Sequence, residues 1–439
     1  MVVFPESVVC VLEDGYENTA VSKQYHGKRS YLFNPVIDVI FAFNNYEAVQ
    51  AMYLFYSQIL NNSRDPFVIR LPVFGFEDRY IVRLESPMSW ASIAGATGQM
   101  KAKLRIVTPL KALSDADYEM DINVLDSENT TDFGIYVEAS DGTEATLWIL
   151  GDMGFKRIEN IQEDGQTITI HGNNKIYGLN IDRFKINSNS VVHDVNIYRN
   201  EKQTTAEDMF KDNKELVEIK ASGYTFANVT TLREFARSCS KLERIDSFDT
   251  HNVENWYRAF NWAETLKFPD LYYGSGTDFY ETFYGCRGLE NIPEIHLYEA
   301  ITVESMFQNT TRYLDGEQGT IYIYKECDCI DMFNSSETEY GRYQLGVVMF
   351  EACNCSTMFY SMSGCTRIHI EMQKPASGTY KMFTNSDNIT CIYGRLDTTE
   401  ADNKDYMFDG CDSLTTPDQT TQDDLVDGDG AIWENDSCS

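Results

Sequence analysis

The chain has 439 residues, and its 36 basic against 68 acidic side chains leave a net charge of −32 at pH 7. That excess repels phosphate backbones, and with no Lys/Arg stripe it speaks against nucleic acid and anionic membrane surfaces as direct partners. The length calls for two to four domains, and a hydrophobic content of 43% is that of folded protein.

The opening segment, MVVFPESVVCVLEDGYENTAVSKQYHGKRS, lacks a basic stretch followed by a continuous apolar run. No later segment approaches the roughly 18 apolar residues a membrane span needs, so the sequence reads as soluble and made in the cytoplasm. The 11 cysteines are odd in number in a long chain, which favours small buried packing residues over a disulfide framework.

Residues 1–115 read as an α+β unit. Asn44 or Asn45 can cap a helix through YEAVQAMYLFYSQIL, with Ala48, Met52, Phe55 and Ile59 on one apolar face. FVIRLPVF and DRYIVRLES follow as strands joined by a turn at Gly75 to Asp78, and MKAKLRIVTPL supplies another. A helix rich in Phe and Tyr followed by PFVIRLPVFGFEDRYIVRLESP resembles the small tail-tube-like domains of bacteriophage tail proteins. The resemblance spans residues 30–110 and implies a domain that assembles into a homo-oligomeric ring.

Residues 116–200 are β-rich. DFGIYVEASDGTEATLWILG reads as two strands about Ser140-Asp141-Gly142, and GQTITIHGNNKIYGLNI as another pair about Gly172-Asn173-Asn174. A small sandwich that covers the start of whatever follows is the simplest account.

From residue 201 the sequence repeats. An aromatic anchor stands at Phe210, Phe260, Phe283, Phe307, Phe333, Phe359, Phe383 and Phe408, with Ala236 in the second copy, at steps of 26, 24, 23, 24, 26, 26, 24 and 25 residues. Met commonly precedes it; Cys239, Ala263, Cys286, Met362 or Cys411 come three after; Leu216, Leu242, Leu266, Leu289 or Leu414 come six after. Steps of three and four, as in Trp256, Ala259, Phe260 and Ala263, predict one face of a short helix, with an extended segment beginning at the Leu. Such units cannot bury their apolar faces alone and must stack, giving about nine rungs at about 4.8 Å each, a rod on the order of 40 Å.

IDSFDTHNVENWYRAFNWAETL, residues 245–266, resembles the leucine-rich repeat of the BspA-like bacterial surface-protein class through Phe248, Asp249, Thr250, Asn252, Val253, Phe260 and Leu266. The likeness covers residues 205–417 and implies an α/β leucine-rich-repeat solenoid. The units of Phe307 and Phe333 depart most. Residues 418–439 read as an acidic C-terminal tail.

Chemistry-bearing motifs are sparse. The six histidines (His26, His171, His193, His251, His296, His369) fall in no metal or nucleophile spacing. Cys327, Cys329, Cys353 and Cys355 sit one repeat apart; four thiolates can bind zinc, but successive rungs set equivalent side chains in a row rather than a tetrahedron. Asp427, Asp429, Gly430 and Asp436 mimic a calcium loop whose first position would be Leu425, which has no side-chain oxygen. No catalytic, cofactor or metal residue is therefore assigned, and a non-enzymatic protein is expected. Tyr272, Tyr273 and Tyr322 to Tyr324 are candidate contact residues.

Two functions remain. The first is a structural protein of a bacteriophage virion, assembled in the host cytoplasm, joined to tail or neck proteins through residues 1–115, with the solenoid as decoration or contact for a host surface receptor. The second is a surface or secreted adhesin binding a host protein or glycan.

Overall fold

The computed structural model describes residues 2–3, 9–12, 31–33, 36–43, 67–73, 76–84, 89–94, 97–109, 116–125, 132–151, 154–189, 191–310, 316–335 and 343–438. In the front part these form β1 (Val2–Val3), β2 (Val9–Leu12), β3 (Tyr31–Phe33), β4 (Val36–Phe43), β5 (Phe67–Val73), β6 (Phe76–Leu84), β7 (Ser89–Ala94) and β8 (Thr97–Pro109). Seven of them build one sheet in the order β1-β5-β6-β8-β4-β2, with β7 on β8. The strands expected at 67–74, 78–86 and 100–110 appear as β5, β6 and β8, and Val73 faces Phe76 across the β5–β6 turn. The helix expected over residues 46–60 lies outside the described residues. Every described element of this part is a strand, so the α+β tail-tube-like domain finds no support in it.

The middle part contributes β9 (Tyr118–Val124), β10 (Asp132–Ala139), β11 (Ala145–Gly151), β12 (Gly154–Ile161), β13 (Gln166–His171), β14 (Asn174–Leu179), β15 (Ile181–Ile186) and β16 (Val192–Asn200). Alternation decides their faces: along β10, Phe133, Ile135, Val137 and Ala139 are buried while their neighbours are not. The two expected turns reverse the chain but do not close hairpins. β10 pairs with β13 and β15, whereas β11 pairs with β12 and β14, so both turns carry the chain from one sheet to the other. Turn residues specify reversal; they do not specify whether the returning strand pairs or crosses the core. β3, from the front segment, joins this part through β12.

The larger middle sheet runs on into the repeat. β16 pairs in parallel with β17 (Glu218–Ala221), which pairs with β18 (Arg244–Ile245), setting Val195, Ile219 and Ile245 in one row. On the other side Arg183 bridges to Thr205, and the Ile186 amide donates to the Met209 carbonyl at 2.9 Å. The first rung is thus covered on both of its walls.

The repeat is a β-solenoid of about eight turns. One wall continues through β19 (Ile295–Leu297), β20 (Gly316–Ile323), β22 (Tyr343–Met349), β24 (Cys365–Met372) and β25 (Cys391–Asp397), all parallel; between them β21 (Cys327–Asp328) pairs with β23 (Cys353–Asn354) on the other wall. The ninth phrase keeps its turn half, with Met407 buried, but Thr416 and Pro417 replace its strand and the chain leaves for the cap.

No rung contains the expected helix. In all nine copies the residues two before and two after the anchor have positive φ, for example Asp208 (58°) and Asp212 (59°), Arg258 (53°) and Trp262 (59°), Lys381 (52°) and Asn385 (60°). A left-handed residue every fourth position stops a helix and redirects alternate amides. Asp208, Phe210 and Asp212 donate to Arg233, Phe235 and Arg237 of the next rung at 3.0, 2.8 and 2.8 Å, while Met209 and Lys211 turn back to Ala206 and Asp208 at 3.2 Å. The burial read as a helical face survives, because Trp256, Ala259, Phe260 and Ala263 are all fully buried. Backbone pairing between rungs outweighs the roughly 1–2 kcal/mol that a Cβ costs in each left-handed slot.

That cost is testable at Ser238, two after an anchor with φ of 59°. Ser238→Gly should hold or raise stability by about 0.5–1 kcal/mol and Ser238→Val should lower it by about 1–2 kcal/mol, read from urea melts. The reverse order would contradict the left-handed assignment.

Two side-chain slots complete the rung. Five before the anchor, Thr205, Thr231, Asn255, Asp278, Thr302, Asp328, Asn354 and Asn403 each accept from the amide two residues on, for example Asn255 Oδ1 from Tyr257 at 2.9 Å. Three after the anchor, Cys239, Cys286, Ser386 and Cys411 donate to the anchor carbonyl of the preceding rung at 2.9, 3.0, 2.7 and 2.9 Å. This favours a Cys or a hydroxyl at the slot, a small donor in an apolar wall, although Ala263 and Met362 fill it without donating.

Residues 418–438 are folded rather than a free acidic tail. Asp418 caps α1 (Gln419–Val426), whose Leu425 is fully buried, and β26 (Ile432–Asn435) pairs antiparallel with β25. Cys391, expected as a free packing residue, is joined to Cys438 by a disulfide. A charged segment can still cap, because Leu425, Val426, Ala431 and Trp433 supply the apolar face that covers the last rung.

Candidate binding face

Anchors stack at the centre of the rod: Phe260, Phe283, Phe307, Phe333, Phe359, Phe383 and Phe408 follow at centroid separations of 5.3–5.6 Å. With both ends covered, only the sides of the solenoid meet solvent.

The turn side changes character along the rod. In the early rungs charges are paired: Lys185 with Asp208 at 3.1 Å, Arg233 with Glu207 at 2.6 Å, Arg258 with Glu281 at 2.8 Å, and Glu234 with Lys211 and Arg237. Burial works against the Asp208 carboxylate, but Lys185 and Lys211 outweigh it and hold Asp208 below its ordinary pKa. Tyr257 stacks on Tyr280 at 5.2 Å, with Arg233 and Arg258 over the pair. The middle rungs turn acidic, and Glu304 is pushed up by burial and by Asp328, Asp331 and Glu281.

The outer edge, where each strand of the wall ends, carries a second aromatic column. His251 lies on Tyr272 at 4.3 Å, Tyr298 on Tyr324 at 4.7 Å and Tyr324 on Phe350 at 4.5 Å. His296 stacks on Tyr322 at 4.6 Å and contacts Tyr324 Oη and Glu294 Oε1 at 2.9 Å each.

Of the expected contact residues, Tyr272 and Tyr324 stand in this column, the first half-exposed and the second half-buried, and Tyr322 lies half-buried beside it. Tyr273 points inward, its hydroxyl donating to the Pro269 carbonyl at 3.0 Å, and Ile323 between the two tyrosines is core. Tyr224, 91% exposed, and Tyr298, 42% exposed, were not read from the sequence. The step of 26 from Tyr298 to Tyr324 and again to Phe350 is the signal that marks the column.

Histidines meet single carboxylates or rings: His171 with Asp132 at 2.9 Å, His193 with Asp194 at 3.2 Å, His251 with Asp249 at 2.9 Å, and His369 on Tyr393. His26 lies outside the described residues.

Cys327 and Cys353 are direct register partners, and Cys329 and Cys355 occupy the next buried slot, with Cys355 Sγ 3.5 Å from Met349 Sδ. A hydrogen bond from Cys329 holds the Cys353 thiol down, while Cys327, Cys353 and burial push Cys329 up. Among the described residues no group of three His, Cys, Asp or Glu is placed to hold a metal ion. Asp427, Asp429 and Gly430 form the turn between α1 and β26, where the Gly430 amide bonds the Asp427 carbonyl at 2.7 Å.

Burial pushes the Cys239 thiol up to about 12 and Cys411 up to about 11, and raises Cys286 further. Iodoacetamide at pH 8.5 should therefore leave Cys239, Cys286 and Cys411 unmodified in the folded chain and label all three in urea. Above about pH 9 the unfolded chain sheds thiol protons that the folded chain keeps, so stability should fall as pH rises towards 11. Labelling of these thiols in the native protein, read by mass spectrometry, would contradict the packing.

Residues 181–291 and 204–339 match a family described as a Mycoplasma protein of unknown function, DUF285. The matched segment starts at the strand that covers the first rung and ends at residue 339, after the Phe333 anchor, in agreement with the BspA-like repeat read from the anchors. No curated protein and no solved structure matches the chain. Among the described residues no helix is long and apolar enough to cross a membrane.

Proposed function

We propose that the protein is a non-enzymatic recognition component of a bacteriophage particle, joined to tail or neck proteins through residues 1–115 and displaying its solenoid outward. The observation that carries the display role is closure of the rod at both ends, by β15 and β16 at the first rung and by α1 and β26 at the last. A capped solenoid does not extend end to end, so its contacts are lateral. The Cys391–Cys438 disulfide fits a protein exposed outside a reducing cytoplasm, as virion and cell surfaces are.

Sedimentation of the full chain tests the assembly half of this reading. A closed species of fixed copy number at micromolar concentration is expected. A monomer at every concentration would overturn assembly through residues 1–115.

One observation favours the second reading, a cell-surface or secreted adhesin: the matching family is described from mycoplasmas, which are cells. Under that reading the chain sediments as a monomer and the lateral face still binds.

A further inference from the structure

We propose that the outer edge of the solenoid is a docking surface for an extended Lys/Arg-rich segment of a partner protein; this rests on the display reading above. Tyr224, His251, Tyr272, Tyr298, Tyr324 and Phe350 occupy this edge on six successive rungs. The Asp249 amide donates to the Thr225 carbonyl at 3.1 Å, which brings the turn of Tyr224 against that of His251. Gly274 closes the gap between Tyr272 and Tyr298: a Cβ there would stand 2.4 Å from Tyr272 Oη and 2.9 Å from Tyr298 Cδ2. A side chain at 274 would push the Tyr272 and Tyr298 rings aside.

Charge selects the occupant. Asp249, Glu294, Glu299, Glu326 and Glu351 flank the column, against Lys325, which is already bound by Glu299, and Lys374, one register step beyond Glu351. The tyrosines of the turn side carry their own cations, Arg233 and Arg258 over Tyr257 and Lys381 over Tyr380 and Tyr406. Among the described residues no Lys or Arg stands over the rings of the edge column; Asp249, Glu294 and Glu299 are engaged by His251, His296 and Lys325, so the exposed Glu326 and Glu351 and the apolar ring edges are what a partner's cations would meet. Lysine and arginine stems lie along apolar edges while their heads reach carboxylates. A neutral glycan would need open ring faces, and here neighbouring rings cover most of them. Six rungs span about 24 Å, the length of roughly seven extended residues.

The test titrates a labelled heptalysine peptide into the full chain at near-physiological salt and reads anisotropy. Tyr224→Ala with Tyr298→Ala, and separately Glu326→Gln with Glu351→Gln, should each weaken binding about tenfold. Asp141→Asn with Asp164→Asn, two exposed acids of the sandwich turns, should leave it unchanged, and thermal melts check that each variant is folded. Equal weakening by edge and sandwich variants means general attraction to an acidic protein and overturns the proposal, as does no binding at all. Binding of neutral cellohexaose that is lost with the tyrosine pair overturns it in favour of a glycan. None of these outcomes touches the sedimentation result, so failure of the docking surface and failure of the assembly reading are distinguishable.

Discussion

Replacing Phe283 with Ala should lower the stability of the full chain by about 3–5 kcal/mol, measured by urea unfolding. Phe283 is fully buried, lies between Phe260 and Phe307 at 5.4 Å from each, and also touches Phe268 at 5.1 Å. Its loss removes transfer free energy, leaves a cavity the fixed rungs cannot close, and breaks two ring stacks of about 0.5–1.5 kcal/mol each beyond burial. Phe283→Leu keeps most of the volume and should cost less than half as much. The second rung shows what compensation takes: Ala236 stands at the anchor, and Phe235, Phe226 and Phe248 fill the space, with Phe226 and Phe248 at 4.5 Å. A loss under 1 kcal/mol for Phe283→Ala would mean that the anchors do not form a continuous core.

Cys438→Ser should cost about 2–4 kcal/mol, because the bridge to Cys391 closes a loop with a sequence separation of 47. Beyond the bridge itself, a loosened β26 uncovers the last rung, including Leu396 and Ile392. The wild-type chain in dithiothreitol should melt with the variant. Equal melting of wild type and Cys438→Ser without reductant would remove the cap's cross-link from the account.

The anchor phrase was legible because each rung must offer the same shapes to its neighbours, so period, Met-Phe pair and small residue at plus three survive drift around them. Turn conformation was not legible, because positive φ here falls on Asp, Arg, Trp, Lys and Tyr as readily as on Gly285 and Gly410. Without glycine to mark it, a spacing of three and four reads as helix, and backbone pairing between rungs overrides that local pattern. The same limit applies to the sandwich, where Ser140-Asp141-Gly142 announces a turn but the choice of sheet depends on strands far along the chain, β13 and β15 for β10. At the edge, Tyr272 could be picked out by its aromatic neighbour Tyr273, yet only stacking tells the exposed ring from the buried one. The cap was hidden by composition, since four apolar side chains among many acids decide its packing.

The most direct test of the central claim, one continuous solenoid from the first anchor to the last, is a distance. Nitroxides at Glu207→Cys and Asp405→Cys sit at the same slot of the first and ninth rungs, eight steps of about 4.8 Å apart. Pulsed dipolar spectroscopy on the full chain should give one narrow distribution near 40 Å. A broad distribution, or a mean below about 25 Å, would contradict a stacked rod.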